Sequence, residues 1–187
     1  MARSRGFTLI ELLVTVAVAA ILLGVAMPSL RGMIGRNQVA AAVNELSATL
    51  QFARAEAVSR NRCVSLCSSA TTGNVLTAAP TLPSCAASTS WATGWILYVD
   101  RSCGADPVAL TDVLKVHHPD QNGVSITSSS ATRVTFDGRG TTGLSSPQAF
   151  QVLPSEGSGN ANSRTLCLGR VGRVQVQNYL ATCPSGS

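Results

Sequence analysis

The sequence is poor in aromatic residues and in charge. Aromatic residues make up 4% of the 187 residues and charged residues 12%, while hydrophobic residues make up 45%. This balance excludes a disordered tail, which would carry more charge and fewer apolar side chains. With so few large rings, the core must consist mainly of Val, Leu and Ile. The length fits one ordinary domain together with a membrane segment.

The sequence also lacks the motifs of catalysis and of metal binding. It contains no nucleophile motif such as G-x-S-x-G and no C-x-x-C pair. His117 and His118 are adjacent in a predicted strand, so they point to opposite faces, and we expect both to be exposed. We therefore predict that the protein is not an enzyme and uses no cofactor or metal ion.

Lysine is almost absent, since all but one of the 14 basic residues are arginine. Arginine presents a planar fork of N–H donors, which suits phosphate in a way that the lysine ammonium does not. A GC-rich genome, which encodes arginine where another encodes lysine, is the alternative explanation of the overall bias. Composition alone leaves both explanations open.

Six cysteines lie outside the apolar N-terminal run. An even number of cysteines, in a chain whose N-terminus is typical of export, favours disulfides over free thiols. Zinc is the competing interpretation, but Cys63 and Cys67 are four residues apart, no C-x-x-C pair exists, and His117 and His118 have no ligand-like spacing to them. Cys167 and Cys183 bracket an arginine-rich segment, and we predict that they pair and fix it. The residues alone leave the connectivity of the other four open.

From Phe7 to Met27 the sequence is apolar, with Glu11 as its only charge. A helix rises about 1.5 Å per residue, so this run spans a hydrocarbon core of roughly 30 Å. The run ends in GVAMPSL, which fits poorly the small-residue site of a cleaved signal peptide. We therefore predict that residues 7–27 form a membrane helix that is not removed as a signal peptide.

Glu11 requires a partner, because a carboxylate at this depth in a membrane costs about 2.5 to 3.5 kcal/mol. Cleavage of the chain between Gly6 and Phe7 would create a new amine on Phe7. The carboxylate of Glu11 would then pair with that amine on a neighbouring subunit.

The stretch RGFTLIELLV, which contains these residues, resembles the class III signal of type IV pilins and type II secretion pseudopilins. The resemblance implies that a prepilin peptidase removes residues 1–6 by cutting after Gly6, and that Phe7 is then N-methylated. It implies that Glu11 docks on the amine of an adjacent subunit and that the helix kinks at Pro28. It also implies a single-pass protein of the bacterial inner membrane with a periplasmic domain, which joins other pilins in a pilus or pseudopilus.

Beyond the apolar run, apolar residues recur at alternating spacings of three and four, which makes one stripe along a helix. The members of this stripe are Val39, Val43, Leu46, Leu50, Ala53 and Ala57. We predict a helical extension over residues 28–61, ending near Arg60, whose stripe packs on a small sheet.

Residues 62–187 consist of short strand-like runs between turn-rich stretches, which predicts antiparallel β structure. The runs are CVSLC, GWILYVD, VLKVHH, GVSIT, RVTFDGRG, AFQVL and RTLCLGRVGRVQVQ. The loop from Ser68 to Thr89 is long, and we expect a disulfide at Cys85 to hold it. The predicted fold is α+β and like that of type IV pilins, with a long N-terminal transmembrane helix packed on a small antiparallel β-sheet domain.

Four stretches of the sequence resemble the GspH/FimT family of minor pilins and pseudopilins, and within it they are most similar to FimT. LQFARAEAVSRNRCVSLC is similar to the family's helix-to-strand junction, and GWILYVDRS to its central tryptophan strand. VTFDGRG is similar to a later strand and turn, and GRVGRVQV to the C-terminal strand. The resemblance implies that Cys67 pairs with Cys85, which leaves Cys63 for Cys103.

Arginines are concentrated in the C-terminal region. They are Arg133, Arg139, Arg164, Arg170 and Arg173, with Asp137 and Glu156 as the acidic residues of the same region. Three or four contacts between such arginines and phosphates would give a salt slope of roughly −3 in log K against log salt, which is weak binding without sequence preference. The alternative is that the arginines solvate a strand face and discourage edge pairing.

Some FimT-like proteins take part in natural transformation and bind DNA through a G-R-x-R motif near the C-terminus. This chain is similar in having Gly172 and Arg173, but Gln175 replaces the last arginine, so a hydrogen-bonding group remains and a cation is lost. The resemblance therefore implies Arg173 and Gln175 as candidate contacts to double-stranded DNA, to which proximity adds Arg170 and Arg164.

Three functions fit these observations. The first is a FimT-like minor pilin at or near the tip of a type IV pilus, which aids pilus biogenesis and has DNA as a candidate ligand. The second is a GspH-like pseudopilin of a type II secretion system, which contacts exported proteins or sibling pseudopilins. The third is an anchored periplasmic binding domain in which GFTLIE occurs by chance.

Overall fold

The computed structural model describes residues 7–77, 79–119, 123–154 and 162–184, without the side chains of residues 25–31. It has one long helix, α1, and eight strands. The elements are α1 (Leu9–Arg60), β1 (Cys63–Ser68), β2 (Trp95–Asp100), β3 (Val113–His117), β4 (Val124–Ser128), β5 (Arg133–Phe136), β6 (Gln148–Pro154), β7 (Arg164–Leu168) and β8 (Val174–Asn178). This architecture confirms the predicted α+β class.

The chain divides into two compact units between Ile34 and Gly35. In the first unit the large apolar side chains from Phe7 to Leu23 are exposed. Within the described part of the chain, no helix meets the length and hydropathy needed to cross a membrane. The membrane helix predicted over residues 7–27 therefore stays a prediction, as does the kink at Pro28, which lies in α1 among the residues whose side chains are not described.

The second unit contains the apolar stripe that the spacing predicts on α1. All six of its members are at most 2% exposed, which confirms the predicted stripe. The helix ends at Arg60, where Asn61 adopts a positive φ of 49° and donates its N–H to the Val58 carbonyl. Asn tolerates this left-handed conformation and commonly ends helices in this way.

Two four-stranded antiparallel sheets follow α1. The first has the order β3-β2-β1-β5 and the second the order β4-β6-β7-β8. One hydrophobic core joins the stripe of α1 to apolar side chains of both sheets, among them Leu66 of β1 and Phe150 of β6. The indole of Trp91 stacks edge-on against Phe150 and donates to the Ala131 carbonyl at 3.0 Å, so its polar atom is satisfied in the core.

The end of β3 differs from the expectation that both histidines are exposed. The His117 ring stacks on Trp95 with ring centroids 3.6 Å apart, and its Nδ1 lies 3.0 Å from a carboxylate oxygen of Glu45 on α1. The His117 side chain is consequently only 16% exposed. The expectation is wrong for His117 because a cross-strand ring and a helix residue, neither of which is near in sequence, cover it.

Three disulfides join Cys63 to Cys103, Cys67 to Cys85 and Cys167 to Cys183. These are the pairs that the sequence analysis favours. The second bond ties the long loop after β1 back to that strand. The third ties the segment after β8 to β7, where Thr165 and Leu180 exchange two hydrogen bonds of 2.8 and 2.9 Å.

Replacement of a stripe residue should destabilise the second unit strongly. Leu50 is fully buried, so Leu50→Ala should lower the free energy of unfolding by about 2 to 5 kcal/mol through lost contacts and a cavity. Gln51→Ala, at the neighbouring exposed position, should change it by less than about 0.5 kcal/mol. Denaturant unfolding followed by circular dichroism measures both, and equal effects would contradict the assigned packing.

Removal of the third disulfide should loosen the C-terminal segment. The double replacement Cys167→Ser/Cys183→Ser should lower the free energy of unfolding by about 3 kcal/mol, because the unfolded chain gains the freedom of an open loop. Denaturant unfolding under non-reducing conditions gives this value. An unchanged unfolding midpoint would show that the bond does not constrain the chain.

Candidate functional site

The hairpin between β7 and β8 ends in a three-residue loop, residues 170–172, with one arginine at its first position and another directly after it. The Gly172 N–H donates to the Gly169 carbonyl at 3.0 Å, and the Gly169 N–H donates to the Arg173 carbonyl at 2.9 Å. Gly172 has a φ of 74°, so the loop is a type I turn closed by a glycine bulge. Arg170 and Val171 lie at the tip, and both Arg170 and Arg173 are exposed.

Gln175, which stands where the motif has its second arginine, forms hydrogen bonds with the side chain of Arg173. With the Gln175 amide oriented so that its oxygen faces the donors, this oxygen accepts hydrogen bonds from Arg173 Nε at 3.0 Å and from an Nη at 3.2 Å. The two side chains are two residues apart in extended chain and so share a face. Gln175 therefore orients the guanidinium of Arg173, a role that the sequence analysis did not foresee.

A second turn, between β5 and β6, has the same construction. The Asp137 N–H donates to the Thr141 carbonyl and the Gly140 N–H to the Asp137 carbonyl, both at 2.9 Å, and Gly140 has a φ of 77°. Arg139 is exposed at its tip. This turn is therefore another type I turn with a glycine bulge that displays an arginine.

The two turns are bonded to each other. Thr142, directly after the second turn, donates both its N–H and its hydroxyl to the Arg170 carbonyl, at 2.9 and 3.0 Å. A Cβ atom at Gly172 would collide with the Gly140 carbonyl oxygen. The two glycines thus allow a backbone approach that no larger residue would permit.

Arg54 of α1 lies against both turns. Its Nη1 donates to the Gly172 carbonyl at 3.3 Å, and a Cβ atom at Gly140 would lie 2.9 Å from its Nε. Arg54 lies outside the apolar stripe of α1, and the sequence analysis assigns it no function. The available signal was a glycine next to an arginine in each turn, Arg139-Gly140 and Gly172-Arg173, but nothing in the sequence links these pairs to α1.

The structure thus brings together four arginines from three chain segments, which we call the basic corner. Its members are Arg54, Arg139, Arg170 and Arg173. In the described part of the chain, none of the four forms an ion pair with a carboxylate. The corner is therefore an exposed concentration of positive charge.

Two other arginines of the C-terminal region do not belong to the basic corner. Arg164 begins β7 and lies opposite Asn178, at the far end of the hairpin from the turn, and its Nη1 donates to the Ser163 carbonyl at 3.0 Å. Arg133 forms an ion pair with Asp106 and donates to the Gly104 carbonyl. The candidate contact at Arg164 therefore stands apart from Arg170 and Arg173.

Asp137 is the carboxylate within the second turn. The hydroxyl of Thr141 donates to it at 2.7 Å and the Thr141 N–H at 2.9 Å, and these bonds hold the pKa of Asp137 below its ordinary value. The Arg139 N–H also donates to it at 2.9 Å. Asp137 therefore stays ionised and stabilises the turn that carries Arg139.

At the other end of the chain, Glu11 forms a capping box with Thr8. The Thr8 N–H and hydroxyl donate to one Glu11 carboxylate oxygen at 3.0 and 2.9 Å, and the Glu11 N–H faces the Thr8 hydroxyl at 3.3 Å. Phe7 is exposed at the start of the described chain, and Gly6 lies outside the described residues. Cleavage, methylation and docking at these positions stay predictions.

A long N-terminal helix whose second half packs on antiparallel sheets, with a capping glutamate near its start, defines a subunit of the pilin type. The family of the type II transport protein GspH matches residues 42–172, and the prokaryotic N-terminal methylation motif matches residues 1–27. The chain therefore belongs to the GspH family. It is a structural subunit, a minor pilin or pseudopilin of a type IV pilus or a type II secretion system, and not an enzyme.

Solved structures agree with this fold. The chain is similar to the type IV minor pilin FimU of Pseudomonas aeruginosa, with 24% identity over 81% of this chain and 92% of that one and a TM-score of 0.56. A second crystal form of FimU has 24% identity over 79% and 94% of the two chains and a TM-score of 0.52. None of the curated proteins matches. At this identity the likeness to FimU concerns the fold.

The turn that carries Arg139 should respond to acid through Asp137. Because Thr141 lowers the pKa of Asp137, the resulting stabilisation is complete above the ordinary value of 3.8 and is lost as pH falls through the folded value. Thr141→Val should therefore raise this pKa, whereas Thr141→Ser, which keeps the hydroxyl, should leave it low. NMR titration of the Asp137 carboxyl measures the pKa, and an unshifted value in Thr141→Val would contradict the assignment.

Proposed function

We propose that the protein is a minor pilin at or near the tip of a type IV pilus and that its β7–β8 turn contacts double-stranded DNA. The observation that supports this most is the exposure of Arg170 and Arg173 on one turn, with no carboxylate paired to either in the described chain. Guanidinium groups displayed in this way bind phosphate oxygens through two parallel hydrogen bonds.

Such a contact would recognise the DNA backbone and not its sequence. Each phosphate that an arginine neutralises releases condensed counterions, so binding weakens as salt rises. Contacts from arginines to phosphate oxygens position a protein on the duplex but carry no sequence information. The expected affinity is therefore weak and sequence-independent, which suits a filament that captures DNA of any origin.

The N-terminal residues supply the assembly function in this proposal. A prepilin peptidase cuts after Gly6, Phe7 is N-methylated, and the apolar helix holds the subunit in the bacterial inner membrane with the β-sheet domain in the periplasm. Glu11 then docks on the Phe7 amine of a neighbouring pilin. The match of residues 1–27 to the N-terminal methylation motif supports this order of events.

The second candidate is a GspH-like pseudopilin of a type II secretion system. The match of residues 42–172 to the family of the type II transport protein GspH favours it. In this function the basic corner would be a solvated face or a contact to sibling subunits, and DNA would not be a ligand. DNA binding therefore separates the two candidates.

Removal of the two turn arginines should abolish DNA binding. We expect the mature chain, in neutral-detergent micelles and with its disulfides intact, to shift duplex DNA in a gel at low salt and less so at physiological salt. Arg170→Ala/Arg173→Ala should not shift it, because two phosphate contacts are lost.

The matched control is Arg36→Ala/Arg60→Ala, which removes the same charge from two exposed positions outside the basic corner. It should retain binding. Failure of the unmodified chain to shift DNA at low salt would contradict the proposal and favour the pseudopilin.

A further inference from the structure

We infer that the DNA-binding surface is the whole basic corner, so that Arg54 of α1 and Arg139 of the β5–β6 turn contact phosphates together with Arg170 and Arg173. This inference rests on the proposed function. It adds two contact residues that lie outside the β7–β8 turn, one of them on the helix.

Arg139 is placed beside Arg170 by backbone hydrogen bonds and not by chance side-chain positions. Its turn and the β7–β8 turn have the same type I geometry with a glycine bulge, and Thr142 bonds one turn to the other through the Arg170 carbonyl. Both arginines are exposed at the tips of their turns. A phosphate backbone that reaches one tip therefore meets the other.

Arg54 is fixed by the same junction, but most of its donors have no partner among the residues that the structure describes. One N–H group of its guanidinium donates to the Gly172 carbonyl, which leaves further donors on a residue that is exposed to solvent. Its Nε and Cδ lie where Cβ atoms at Gly140 and Gly172 would be in close contact with it. Arg54 thus spans both turns and adds a fourth cation to the surface.

The charge of the corner is unbalanced within the described chain. The corner has four guanidinium groups, and the carboxylate within its turns is that of Asp137. The two oxygens of Asp137 accept the N–H groups of Arg139 and Thr141 and the Thr141 hydroxyl. Like charges held close together repel each other, so structural stability alone does not account for the arrangement. A polyanion such as duplex DNA supplies the missing negative charge with phosphates in a repeating row.

The test is a fluorescence anisotropy titration of labelled duplex DNA with the mature full chain in neutral-detergent micelles, at several salt concentrations. Arg139→Gln and Arg54→Gln should each make the salt slope shallower by about 1 and weaken binding by roughly 5- to 10-fold near 0.1 M salt. Arg164→Gln is the matched control, because it removes the same charge at the far end of the hairpin, and it should leave the slope unchanged.

Arg54 also supports the β7–β8 turn, so Arg54→Lys is included as a variant that keeps the charge. It should retain the wild-type slope, whereas a purely structural role of Arg54 would make Lys and Gln behave alike. If Arg54→Gln fails to fold, Arg139→Gln decides, since the described structure gives the Arg139 side chain no hydrogen-bonding partner to lose.

The outcomes separate this inference from the proposed function. Unchanged slopes in Arg139→Gln and Arg54→Gln, with binding still lost in Arg170→Ala/Arg173→Ala, would overturn the inference and leave the proposed function standing. Equal losses in Arg164→Gln and the corner variants would also overturn it, since the surface would then be no defined site. Absence of binding by the unmodified chain would overturn both.

Discussion

The packing of the α1 stripe against both sheets is the constraint on which the rest of the structure depends. Neither sheet could bury its apolar face alone, and one core unites Leu46 and Leu50 with side chains from the two sheets. Toward its end the stripe changes to Ala53 and Ala57, both fully buried, so the helix lies close to the strands there. This close approach brings the neighbouring Arg54 to both turns of the basic corner.

The basic corner therefore depends on small residues more than on charged ones. Glycine at 140 and at 172 provides the left-handed backbone of each turn and also the space in which the turns and Arg54 meet. An alanine at either position would strain the backbone while leaving every arginine in the sequence. The surface therefore depends on the positions of these two glycines as much as on the number of arginines, and composition alone does not reveal it.

The sequence predicts the elements of this fold better than their arrangement. The stripe of α1 and the strand-like runs follow from local periodicity, and all appear in the structure, although the run RTLCLGRVGRVQVQ divides into β7 and β8 at its inner glycines. The partners of His117 and Arg54 could not be predicted, because they come from sheet order and helix packing. The bond from Arg54 to Gly172 joins residues 118 positions apart, and no local pattern carries such information.

The capping box at the start of α1 bears on how a subunit of this type would change partners. In the single chain, the carboxylate of Glu11 already serves the otherwise unbonded N–H of Thr8. Docking of Glu11 on the amine of a neighbouring subunit would therefore replace hydrogen bonds that Glu11 already accepts from Thr8. The Thr8 donors are neutral and leave the net charge of the carboxylate in place, so the amine of a neighbouring subunit would still supply the countercharge that an apolar environment requires.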